Sequence, residues 1–259
     1  MNVVIMTDLE GISMIDSIDM IFEDDKYQLA RVELMRDVNA AVEGAFDGGA
    51  SEVYVIDGHG GGVNFIPGAL HSKALLLSFA EWCRLTREGK FHAYMSIGAH
   101  AMPGTKDGFL DHVQSSKSWF SYKVNGTEGG ETAQGAIYMG AFGVPFVMVS
   151  GDEAACLEAR ALLGDIATAV VKHGKGRNNA ICLPAEEARK AIYDAANLGM
   201  KLALNGDIKP YTLTMPLEIE LTFYRSDMCD DHPKEGWQRL DGRTLKKTVH
   251  VIYNYKDIL

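Results

Sequence analysis

The apolar and polar positions of this chain follow two rhythms. Residues 2–6 form a short, nearly continuous apolar run, the pattern of a buried strand, which stops at Thr7-Asp8-Leu9-Glu10. Over residues 27–47, Leu29, Val32, Leu34, Met35, Val38, Ala41, Val42, Ala45 and Phe46 recur at helical spacing, and Gly48-Gly49 ends the pattern. A second strand is predicted over 52–56, closed by Asp57-Gly58-His59-Gly60-Gly61-Gly62, and a third over 91–97, closed by Gly98-Ala99-His100. Residues 103–121 read as loop. Phe109, Leu110, Trp119 and Phe120 are scattered through it as apolar positions available for an interface, a substrate channel or local core. A helix over 130–140 leads into a strand over 145–150, Asp152 is placed to cap a helix running to 163, and a short strand follows over 167–171.

Strands and helices that alternate in this way imply an α/β fold with a mostly parallel central sheet flanked by helices. Later the pattern changes. A helix is expected over 184–204, and residues 217–223 and 248–253 alternate strictly, as half-exposed antiparallel strands joined by a polar loop do. The expected organisation is an α/β unit over residues 1–180 and a smaller α+β region over 181–259, as two domains or one continuous compact unit.

Composition narrows the function classes. The 259 residues are 47% hydrophobic and 23% charged, as in an ordinary globular chain, and the net charge of −10 with no Lys/Arg block argues against nucleic-acid binding. No stretch approaches the roughly 20 apolar residues of a membrane span, and the opening run is too short for a signal peptide, so the expected location is the cytoplasm. Cys83, Cys156, Cys182 and Cys229 contain no C-x-x-C pair, which favours buried reduced thiols over a zinc–thiolate site or a disulfide framework.

The chemistry gathers where strands end. Asp8 and Glu10 are two residues apart in extended chain, so both carboxylates reach one point, where they repel unless a cation lies between them. Asp57 and His59 close the second strand and His100 the third, while Glu131 lies early in the helix before the fourth. In parallel sheets ligands collect at the carboxyl ends of strands. Asp8, Glu10, His59, His100 and Glu131 form an oxygen and nitrogen donor set with no thiolate, suited to zinc and also to manganese or cobalt. The set exceeds what one tetrahedral ion needs, whereas two ions sharing a bridging carboxylate would use all of it, and such a centre serves metal-assisted hydrolysis. Asp57 has two readings, as the partner that fixes the His59 tautomer or as a cap for the turn. Gly58-His59-Gly60-Gly61-Gly62 lacks the Gly-Lys-Ser/Thr ending of a phosphate loop.

The same residues resemble the D-aminopeptidase family, peptidase family M55. The likeness rests on Asp8-Leu9-Glu10-Gly11-Ile12-Ser13, Asp57-Gly58-His59 with Asn64 beyond it, Gly98-Ala99-His100-Ala101, His112, Asn125, Gly130-Glu131, Val144-Pro145 and Gly151-Asp152. It covers residues 1–185 well and the C-terminal strands less closely. The resemblance implies a binuclear zinc centre, with Asp8, Glu10, His59, His100 and Glu131 as ligands, Asp8 as the bridge and His112 as the catalytic side chain. It also implies a zinc-dependent aminopeptidase that removes an N-terminal residue, a D-amino acid, from short peptides inside a homo-oligomer, a toroidal decamer. Gly60-Gly61-Gly62-Val63 and residues 75–87 depart from the family pattern, which leaves substrate preference and assembly size open. Two alternatives stand beside this reading. One is another metallohydrolase, acting on phosphoesters or other amides, against which the chain offers no Lys/Arg cluster near the strand ends. The other is a non-catalytic metal-binding assembly protein.

Overall fold

A computed structural model describes residues 1–233 and 235–259. Its centre is a seven-stranded sheet in the order β3-β2-β1-β4-β7-β8-β9. These strands are β1 (Asn2–Thr7), β2 (Glu52–Asp57), β3 (Leu75–Leu77), β4 (Ala93–Ala99), β7 (Phe146–Asp152), β8 (Ala167–Gly174) and β9 (Ala180–Cys182). All neighbours run parallel except β9, which pairs antiparallel with β8.

The sheet is covered on both faces because its strands are apolar on both. From β1, Val3 and Ile5 enter a core built with α2 (Asp24–Asp47) and α6 (Ala185–Asn205), while Val4 enters the opposite core with α3 (Phe79–Arg87), α4 (Glu131–Ala141) and α5 (Glu153–Leu163). α2 and α6 approach closely: a Cβ on Gly44 would stand 2.3 Å from the Tyr193 carbonyl oxygen. A short helix, α1 (Asp19–Phe22), precedes α2.

A second, antiparallel sheet runs β11-β12-β10-β5-β6, from β5 (Trp119–Val124), β6 (Thr127–Glu128), β10 (Leu217–Phe223), β11 (Gln238–Arg239) and β12 (Thr244–Val249), with α7 (Ser226–Asp231) beside β10. β10 and β12 pair antiparallel as expected. The last strand lies at 244–249 rather than 248–253, because Val249 already faces Leu217, the first residue of β10, and pairing ends there. Residues 119–121, expected as loop, begin β5, which crosses to this sheet and pairs with β10. Phe109 and Leu110 are buried in the main core, Trp119 is half-buried, and Phe120 is exposed.

In the main sheet β1 leads to β2 and β3 on one side, while β4, β7 and β8 lie on the other. The order therefore reverses between β1 and β4. A crevice opens at such a switch point, outside the carboxyl ends of the strands.

Candidate metal centre

The loop after β1 is threaded into the end of β4. The Asp8 and Gly11 amides donate to the carbonyls of Ile97 and Gly98, each at 2.8 Å. The fit excludes side chains: a Cβ on Gly11 would lie 1.9 Å from the Ala99 carbonyl oxygen, and one on Gly98, whose φ is +83°, 2.2 Å from that of Asp8. Two groups brace this loop from below. Buried Asp37 of α2 accepts from the Ser13 amide and hydroxyl, both at 2.6 Å, and buried Lys172 of β8 donates to the carbonyls of Glu10 (2.8 Å) and Ile15 (2.7 Å). Its ammonium also lies 4.6 Å from the Phe109 ring centre.

All five side chains expected as ligands meet at this crevice, and His112 joins them. His100 Nε2 lies 3.3 Å from Asp8 Oδ2 and 3.5 Å from Glu131 Oε1. His59 Nε2 lies 3.4 Å from Glu10 Oε1, and His112 Nε2 is 4.0 Å from both Glu10 Oε1 and Glu131 Oε1. The His100 and His112 rings stack at 3.9 Å. Donor atoms of Asp8, Glu10 and His100, and separately of His100, His112 and Glu131, fall within 4.8 Å of one another.

Each imidazole is held by its far nitrogen. His100 Nδ1 donates to the Ala101 carbonyl (3.1 Å), His112 Nδ1 to that of Leu110 (2.7 Å) and His59 Nδ1 to Asn64 Oδ1 (3.1 Å). A proton fixed on Nδ1 leaves the Nε2 lone pair aimed at the acids, the arrangement found behind metal-ligating histidines. Asp57 meets both of its expected readings through an intermediary. Its carboxylate accepts from the Asn64 amide (2.6 Å), the Asn64 side chain (2.7 Å) and the Phe65 amide (3.1 Å), and Asn64 in turn holds His59.

The cluster's charges call for a cation. Burial works against the charge on Glu10, yet His59 and His100 overcome it and hold the carboxyl far below the usual carboxylate range. Burial likewise works against charged His59, but Glu10 and Asp8 push its imidazole up to about 10. His100 is raised against its burial by Asp8 and Glu131, and Glu131 is lowered against its own burial by His100. The acids favour positive charge at this point, which a divalent ion would supply. Buried His100 Nε2 and Glu10 Oε2 have no hydrogen-bond partner among the described residues. Two orphaned donor atoms facing one point, with every Nδ1 occupied elsewhere, fit a metal ion.

The loop carrying His112 is forced into shape. Leu110 and Gln114, on either side of it, take left-handed backbone with φ of 51° and 55°, a conformation that non-glycine residues adopt only when surroundings impose it. Gln114 uses that geometry to donate its amide to Glu131 Oε1 at 2.7 Å. Two cavities meet at His112. One of about 310 Å³ is lined by Asp8, His59, His100 and Glu131 and by the aromatic residues Phe79, Tyr94, Phe146 and Tyr255. The second, about 220 Å³, is lined by Glu10 and His112 together with Ile18, Ile21, Phe22, Leu110, Lys117 and Arg177. The two cations lie far apart in sequence, so no Lys/Arg run announces them.

Sequence reading missed Lys172, Asp37 and Gln114. Lys172 closes the apolar run 167–171 and Asp37 interrupts the apolar face of α2, and a charge in such a place is the available signal. Gln114 carries none, because its contribution comes from its backbone.

The chain is similar to known proteins over its whole length. The family model described as D-aminopeptidase matches residues 1–258. A curated relative from Bacillus subtilis (strain 168), named D-aminopeptidase, is 29% identical over 270 residues, covering 100% of this chain and 93% of its own length. A solved structure, described as the Zn-dependent D-aminopeptidase DppA from Bacillus subtilis, a self-compartmentalizing protease, superposes with a TM-score of 0.86 at 24% identity, over 99% of this chain and 95% of that one. This likeness shows a shared fold.

Proposed function

The chain belongs to the D-aminopeptidase family, and from that membership we propose that it is a zinc-dependent hydrolase that removes the N-terminal residue, a D-amino acid, from short peptides. The observation that carries the reading is the gathering of three Nε2 atoms and three carboxylates at the switch-point crevice, with His100 Nε2 and Glu10 Oε2 unpartnered among the described residues. Asp8, Glu10, His59, His100 and Glu131 would hold the metal, and their number and charge suit two ions better than one. Zinc held there supplies Lewis acidity and a water of lowered pKa.

The chain's own residues do the rest. The larger cavity receives the N-terminal residue, whose side chain suits the aromatic residues Phe79, Tyr94, Phe146 and Tyr255 that line it. His112 presents a free Nε2 because Leu110 holds its other nitrogen, so it is placed to move the proton between attacking water and leaving amine or to steady the developing oxyanion. The self-compartmentalizing character of the structural relative supports a homo-oligomer, with a ring of ten as the expected form. Among the described residues no helix is long and apolar enough to cross a membrane, and a cytoplasmic location accords with four free cysteines.

The test is hydrolysis of D-alanyl and L-alanyl para-nitroanilides and of para-nitrophenyl phosphate by zinc-loaded protein. Release from the D-alanyl anilide above the other two is expected. Turnover of the phosphate alone would replace this reading with a phosphoesterase.

A further inference from the structure

We propose that the larger cavity selects a large apolar or aromatic side chain on the N-terminal residue, such as that of D-phenylalanine, and that Ser96 is the position that keeps room for it. The proposal rests on the aminopeptidase reading and deepens it by naming the side-chain class that the site takes.

The room comes from one small residue on a face of large ones. Alternate residues of a strand share a face, so Tyr94 and Ser96 of β4 point the same way. The register sets Tyr94 beside Phe146 of β7, and Ser96 between Met6 of β1 and Val149 of β7. Tyr94, Phe146 and Val149 belong to the core that α3, α4 and α5 cover. Ser96 is thus a short side chain between two large apolar neighbours, and Met6, Ser96, Tyr94 and Phe146 all line the cavity that also holds His100 and Glu131. Ser96 stands four residues before His100, at most about 14 Å of chain, so the cavity runs back along β4 from the donor cluster. At Tyr94 the helix above closes in: a Cβ on Gly135 of α4 would stand 3.0 Å from the Tyr94 hydroxyl, and the Tyr94 and Phe146 ring centres lie 4.5 Å apart.

Size and chemistry then name the occupant. An apolar cavity of about 150 Å³ takes up benzene. One of about 310 Å³ admits a benzyl side chain together with the backbone that carries it, whereas a methyl group would leave most of the aromatic lining in water. The lining contains no Lys or Arg among the described residues, and its acids are Asp8 and Glu131 of the metal cluster, so no charged side chain finds a partner there. A ring placed among Tyr94, Phe146 and Tyr255 gains both the area removed from water and edge-to-face contact.

The test uses zinc-loaded protein. D-phenylalanyl para-nitroanilide should exceed D-alanyl para-nitroanilide in kcat/KM by about tenfold or more, and calorimetry should give D-phenylalanine, the product, the same advantage over D-alanine in affinity. Ser96→Phe, whose ring would take up the cavity, lowers both ratios to about threefold or less, and Ser96→Leu, a smaller intrusion, lowers them in the same direction. Ser96→Ala keeps both, because space at this position counts and the hydroxyl does not. Equal handling of the two residues by the unaltered protein, a preference for D-alanine, a preference lost in Ser96→Ala, or one undiminished in Ser96→Phe or Ser96→Leu overturns the proposal. Failure to hydrolyse either anilide would count against the aminopeptidase reading, and the binding comparison would still decide what the cavity takes.

Discussion

At the scale of single residues, the centre is a contest between burial and charge that charge wins. Asp8, Glu10 and Glu131 lie where carboxylates repel, and imidazoles held by their far nitrogens face them. Removing His112 should leave the metal in place and cost turnover. His112→Ala is expected to retain its zinc by elemental analysis while kcat falls about 100-fold or more; loss of zinc would make His112 a ligand. Asn64 acts one step back, joining Asp57 to His59. Asn64→Ala should weaken zinc binding by about 10- to 100-fold in a competition titration, since the ring loses the contact that fixes its tautomer. Asp8, Glu10, His59, His100 and Glu131 were legible as candidates because each follows a strand or opens a helix. The relay through Asn64 was not, because it depends on which way a side chain turns within a glycine-rich loop.

At the scale of elements, the metal loop is only as firm as what braces it. α2 contributes Asp37, whose burial pushes its carboxyl up to about 6 despite two hydrogen bonds from Ser13. Because this folded value exceeds the unfolded 3.8, the native state binds the extra proton between roughly pH 4 and 6. The resulting stability is present below that window and is lost as pH rises through about 6. Asp37→Asn, which can still accept from the Ser13 amide, should flatten this part of the profile. Denaturant midpoints at pH 4 and pH 7 for both proteins measure it, and an unchanged slope would remove Asp37 as the cause. The helices α2, α4, α5 and α6 and the strands β1, β2, β4, β7 and β8 were readable from the sequence because each is apolar where it meets its neighbours, whereas β3 and α3, over residues 75–87, were not read as elements. β5 was not, because its partner β10 lies far along the chain and a half-exposed strand looks like loop until its neighbour is known.

At the scale of the molecule, the two sheets divide the labour. The parallel sheet brings Asp8, His59 and His100 to one edge, while β5 of the antiparallel sheet follows directly on the loop that carries His112. The central claim is that this meeting of strand ends is a zinc centre that cleaves peptides. Its most direct test is a zinc titration of metal-stripped protein with D-Ala-D-Ala hydrolysis as the readout. The account predicts no rate without metal and a rate that climbs to a plateau at two equivalents per chain. Full hydrolysis in the stripped protein, or zinc bound at stoichiometry with no hydrolysis, would contradict it.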